Sequence, residues 1–73
     1  METYYRFQNE KPKMGEQVHC FKEYGDFSSF VQMMKHQDSQ FHRMKFWKIT
    51  GDFIKEDEGD AIVRVHFAEQ IYL

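Results

Sequence analysis

The sequence predicts a small α+β domain: a four-stranded antiparallel sheet in the order β-β-α-β-β, with one amphipathic helix packed on one face. Three observations carry this. Phe46 to Ile54 and Ala61 to Phe67 are two β-rich runs flanking a short acidic connection that ends in Gly59-Asp60, the pattern of a hairpin. Phe27, Phe30, Val31 and Met34 recur at helical spacing. At 73 residues the chain is a single domain, spanning 1–73, near the lower end of what folds unaided.

The first strand is expected over Thr3 to Gln8, with Tyr5 and Phe7 on one face and Tyr4 and Arg6 on the other. Lys11-Pro12-Lys13-Met14-Gly15 is polar, holds the only proline and reads as a turn. A second strand follows over Gln17 to Lys22, with Val18 and Cys20 opposed to His19 and Phe21. Tyr24-Gly25-Asp26 breaks that alternation and opens the helix. Asp26 is the expected N-cap, since a carboxylate accepts a hydrogen bond from an unpaired N–H of the first turn. Ser28, Ser29, Gln32, Lys35 and His36 cover the polar side, and the helix is expected to fade near Gln37-Asp38-Ser39.

The third strand is expected from Arg43 to Ile54. It is apolar on both faces, with Trp47, Ile49 and Phe53 against Met44, Phe46 and Ile54, as a central strand or one covered by a partner would be. The fourth strand, Ala61 to about Tyr72, alternates: Ala61, Val63, Val65, Phe67, Ile71 and Leu73 share one parity, and only Glu69 spoils it.

A core of this size supplies only about 3–5 kcal/mol, and the single cysteine, Cys20, excludes an internal disulfide. Aromatics are the compensation: eight Phe, four Tyr and one Trp form 18% of the chain, each burying roughly 150–250 Å². The start Met1-Glu2-Thr3-Tyr4-Tyr5-Arg6 lacks an apolar export segment, and no apolar run reaches the length of a membrane span. With one lone cysteine, these features predict a cytoplasmic protein with no membrane partner.

The net charge of −2 conceals a dipole. Between Asp52 and Asp60 five carboxylates (Asp52, Glu56, Asp57, Glu58, Asp60) stand against Lys55, a local balance of −4. Between Lys35 and Lys48 four cations (Lys35, Arg43, Lys45, Lys48) stand against Asp38, a balance of +3. The acidic segment is read as a hairpin loop able to steer a protein partner with a basic surface. Thirteen aromatics and five Met exceed what this fold hides, so Tyr4, Phe41, Trp47 or Tyr72 should form an exposed patch. Trp47 and Tyr72 are the expected anchors. A second copy of the chain is a further candidate partner.

Nucleic acid is the alternative partner. Phe41-His42-Arg43-Met44-Lys45-Phe46-Trp47-Lys48 interleaves rings with cations, and Arg43, Lys45, Lys48 and Arg64 are the candidate phosphate contacts.

Catalytic chemistry finds little support. Cys20 shares the apolar parity of its strand, His19, His36, His42 and His66 lack zinc spacing, and Asp52, Asp57 and Asp60 lack a second acidic segment to complete a cation shell. No glycine-rich cradle exists, so neither metal nor cofactor is expected. Arg6, then Ser28-Ser29, then Glu56-Asp57-Glu58 resembles the order of elements in the arginine–serine–glutamate class of ADP-ribosyltransferases. The resemblance covers little of the chain. It implies a degenerate relative in which Arg6 and the serines would face NAD and the E-x-E element would carry a catalytic glutamate. That family has a strand where a helix is expected here. The weight of the sequence lies with a non-enzymatic binding module of the kind encoded by phages and mobile elements, an inhibitor or adaptor.

Overall fold

A computed structural model of the chain describes residues 2–73. Its elements are β1 (Glu2–Phe7), β2 (Gln17–Cys20), α1 (Tyr24–Gln37), a 3₁₀ helix (Ser39–Arg43), β3 (Phe46–Asp57) and β4 (Asp60–Ile71). The strands form one antiparallel sheet in the order β1-β3-β4-β2, so the fold is α+β as the sequence predicts.

The sheet is built on the β3–β4 hairpin, 12 residues in each arm. Its turn is two residues, Glu58 and Gly59, at φ 51° and 88°. Two successive positive φ values define the type I′ turn, whose twist matches that of the flanking strands. Glycine takes the second position without strain, while Glu58 accepts a backbone conformation that side chains rarely adopt.

Register slips twice along this hairpin. His66 is an extra residue on β4 between the pairs Gly51–Val65 and Thr50–Phe67, and Ile54 is an extra residue on β3 between Phe53–Val63 and Lys55–Ile62. Each bulge bends and further twists the arms. Gly51 sits at the first of them, where a Cβ would lie 2.3 Å from the Arg64 carbonyl oxygen and 2.7 Å from Val63 Cγ1. The resulting curl brings the two edge strands together. Tyr5 N–H donates to Phe21 O at 3.0 Å and Phe21 N–H donates to Tyr5 O at 2.8 Å.

Curling gives the sheet two buried faces. Inside lie Tyr4, Val18, Cys20, Trp47, Ile49, Ala61, Val63, Val65 and Ala68. Outside, α1 and the 3₁₀ helix cover Phe46, with Tyr5, Phe7, Phe21 and Ile71 packed against Phe27, Val31 and Phe41. Some rings there meet edge-on, Phe7–Phe41 at 5.1 Å and Phe27–Phe46 at 6.0 Å, while Phe7 and Phe30 stack at 5.7 Å, the two arrangements that ring quadrupoles prefer. Lys35 closes the end, donating to the Leu73 carbonyl at 2.5 Å and lying over the Phe46 ring.

Several expectations change. The third strand begins at Phe46 and ends at Asp57, not at Arg43 and Ile54. Arg43 belongs instead to the 3₁₀ helix, because Asp38 Oδ1 accepts from Gln40 N–H at 2.9 Å and so starts a new turn. Asp26 is not the N-cap; Glu23 occupies that position without a side-chain cap, and Asp26 lies in the first turn, where it suits the helix dipole. The bulge at His66 inverts the parity of β4 beyond it, turning Ala68 inward and Phe67 outward to 60% exposure. Trp47, Tyr4 and Phe41 are buried rather than exposed, since both sheet faces are covered.

Gly51→Ala forces Arg64 and Val63 apart and is expected to cost about 2–3 kcal/mol, lowering Tm by on the order of 10 °C. Gly25→Ala, with open space around its Cβ, is expected to be neutral or slightly stabilising. Circular-dichroism melts of the two variants check the pair; equal melting would mean the strands need no close approach at Gly51.

Candidate interaction surface at the hairpin tip

The charge blocks of the sequence sit at the two ends of the hairpin. The acidic segment is not a loop: Asp52, Glu56 and Asp57 lie on β3, Glu58 in the two-residue turn, and Asp60 opens β4. Their backbone is paired across the hairpin, so the carboxylates stand on a rigid support.

Directly opposed residues share a face. Phe53 faces inward with Val63 and Glu56 with Ala61, whereas Asp52 lies outward opposite Arg64, and Asp57 opposite Asp60. Most of the carboxylates have cationic or titratable neighbours. His66 Nε2 lies 2.7 Å from Asp52 Oδ2, and Lys22 Nζ contacts Glu56 Oε1. His19 bridges the tip, its Nε2 3.7 Å from Asp57 and its Nδ1 3.9 Å from Asp60. Among the described residues Glu58 alone of the five has no ion-pair partner. The hydrogen bond from His66 holds the Asp52 carboxyl below its ordinary range, and that from Lys22 does the same for Glu56. Sequence reasoning missed His19, Lys22 and His66 as partners: the register of β2 on β4 places His19 there, the bulge between β3 and β4 places His66, and Lys22 follows just beyond the end of β2.

It also missed the apolar part of the tip. Phe53 is 50% exposed and Ile54 also reaches solvent. The third strand was expected to be apolar on both faces, and among the described residues β1 pairs with β3 only as far as Glu2–Gly51, so Phe53 and Ile54 lie beyond that pairing. Beside this stretch lies a shallow depression of about 390 Å³ lined by Glu2, Thr3, Tyr4, Lys22, Phe53 and Glu56. Tyr4 donates to Glu2 Oε2 at 2.5 Å, and burial, then that bond, pushes its phenol up to about 12.

Of the two expected aromatic anchors, Trp47 is only 5% exposed and donates its indole N–H to Gln8 O at 2.8 Å. Tyr72 is 82% exposed, but it follows β4 at the end away from the tip. The structure therefore does not join either one to the carboxylates. The four candidate phosphate contacts are also dispersed. Arg43 and Lys45 line a depression of about 480 Å³ with Asn9, Gln40 and Met44, while Lys48 lies opposite Glu69 and Arg64 opposite Asp52.

Arg6 pairs with Trp47 at one end of β3 and donates to His19 O and Gln8; Ser28 and Ser29 lie on α1; Glu56 and Glu58 lie at the other end of the hairpin. The fold does not gather them. Cys20 is buried, and loss of solvation pushes its thiol up to about 12, far from a reactive thiolate. Among the described residues no three His, Cys, Asp or Glu side chains converge as metal ligands. His19 shows why, since its two carboxylate neighbours face different ring nitrogens. Among the described residues no helix is long and apolar enough to cross a membrane. No known protein-family model matches the chain, and comparison with curated proteins and with solved structures finds no similar protein.

The lowered Asp52 and Glu56 set an acid limit on stability. A carboxyl held below its ordinary range in the fold contributes stability that is full above that range and lost as pH falls through the lowered value. Urea melts from about pH 6 to pH 2 should show this decline, and Asp52→Asn with Glu56→Gln should flatten it. An unchanged slope in the double variant would mean that neither pair contributes.

Proposed function

We propose that this chain is a small non-enzymatic protein-binding module of the cytoplasm, of the inhibitor or adaptor type found among phage and mobile-element accessory proteins. It engages a basic partner surface through the acidic hairpin tip. The observation that carries this reading is the position of half-exposed Phe53 and exposed Ile54 among Asp52, Glu56, Asp57, Glu58 and Asp60 on a rigid support. Apolar side chains supply contact area, and the surrounding carboxylates steer and select a cationic surface. Phe53 and Ile54 take the anchoring role first assigned to Trp47 and Tyr72.

A second reading has one observation in its favour. Arg43 and Lys45 have no ion-pair partner among the described residues and share a depression with two amide side chains, Asn9 and Gln40. That chemistry suits phosphate groups of a nucleic acid. It uses only half of the basic set, since Lys48 and Arg64 face carboxylates across the hairpin.

Affinity capture from lysate of the source cells, with and without nuclease, separates the readings. A stoichiometric protein that survives nuclease, and is lost with Asp57→Lys and Glu58→Lys, supports the first. These two positions are chosen because reversing Glu56 would set a second cation beside Lys22. Binding that is unchanged by the double reversal overturns the tip's role. Nucleic acid recovered in a salt-sensitive way, and lost with Arg43→Glu and Lys45→Glu, establishes the second reading instead.

A further inference from the structure

We propose that the open edge of β3 from Asp52 to Asp57 takes up an extended, lysine- or arginine-bearing segment of the partner as a fifth strand. The inference rests on the protein-binding reading above and specifies its mode.

The register of the sheet creates the opening. β4 pairs with one side of β3 along its whole length, but β1 pairs with the other side only from Phe46 to Gly51. Among the described residues, no strand and no further backbone hydrogen bond covers that side from Asp52 to Asp57. Six residues of extended chain offer about 20 Å of backbone donors and acceptors. Bare edges of this kind are templates for strand addition, in which main-chain bonds give affinity and alternate side chains give specificity.

The surroundings define the occupant. On the inner side of the edge the depression of about 390 Å³ is lined by half-exposed Phe53 and Tyr4 together with Glu2, Thr3 and the Lys22–Glu56 pair. It gives an apolar side chain of the incoming strand a place to sit. On the outer side Asp52 and Asp57 flank Lys55 along the edge, with Glu58 just beyond in the turn, so three carboxylates stand against one cation there. Residues of the added strand on that side would be cationic. An alternation of apolar and basic residues matches both sides of a pleated strand.

The same features argue against a second copy of this chain as the occupant. Two identical edges would set Asp52, Glu56 and Asp57 of one copy against the carboxylates of the other, and like charges across a ladder are destabilising. The bulge at Ile54 adds a kink that a like edge would have to match. Charge admits a basic strand and turns away a copy.

The test is a titration of the full chain, labelled with nitrogen-15, using an eight-residue capped peptide of alternating lysine and valine. Two control peptides accompany it: alternating glutamate and valine, and the lysine–valine peptide methylated on every backbone nitrogen. The lysine–valine peptide is expected to shift the amide signals of Asp52 to Asp57 and slow their hydrogen exchange, and neither control should do so. Asp57→Lys with Glu58→Lys, its spectrum still dispersed as for a folded chain, should weaken the lysine–valine peptide at least tenfold and admit the glutamate–valine one. Equal binding of the methylated peptide overturns strand addition while leaving charge recognition, and so the protein-binding reading, in place. Shifts confined to other strands, or no shift with any peptide, overturn the proposal. The lysate capture judges the protein-binding reading independently of these results.

Discussion

One constraint shapes this molecule: a sheet with two apolar faces has a single 14-residue helix to cover it. A helix buries one face only. The second face escapes water by turning inward on itself, and in a chain this short that requires sharp curvature over few residues. The two bulges and the bare backbone at Gly51 supply it, and the Tyr5–Phe21 bridge locks the result. Without that curl Tyr4, Trp47 and Ile49 would lie open to solvent beside Val63 and Val65.

The division of labour between the two cores follows from residue size. The enclosed inner face is narrow and is filled with Val, Ala, Ile and Cys around Tyr4 and Trp47. The outer face, roofed by the helices, takes the phenylalanines, whose rings tile by edge and stacked contacts. The aromatics that looked surplus by composition are consumed in building a double core. The polar atoms of the buried rings are also satisfied: the phenol of Tyr4 reaches Glu2 and the indole of Trp47 reaches Gln8.

The hairpin carries curvature and charge together. Among the described residues β3 runs past its pairing with β1 while β2 follows β4 to Ala61, so the tip is a twisted three-stranded ribbon with an uncovered edge on β3. A ribbon of this kind needs protection from chance pairing, and a dense set of carboxylates provides it. In the proposed strand addition the same charges would select a basic partner. Lys22, His19 and His66 hold Glu56, Asp57, Asp60 and Asp52 in place, so the tip is an ordered array rather than a loose acidic loop.

The sequence by itself determined the element order, the helix with its Phe27, Phe30, Val31 and Met34 face, the hairpin turn at Gly59, the core position of Cys20 and the separation of charge. Each of these is written in local periodicity or local composition, which neighbours along the chain decide. What it left open depended on contacts between residues far apart. The inversion at Phe67, the burial of Trp47, the exposure of Phe53 and the pairing of His19 with the tip all follow from register, and a slip of one residue exchanges the faces of a strand. Asp38 shows the boundary between the two. Its turn-forming side chain was visible, but that the chain would coil there into a 3₁₀ helix and remove Arg43 from the third strand was decided by Phe41 finding its place among Phe7, Phe30 and Phe46.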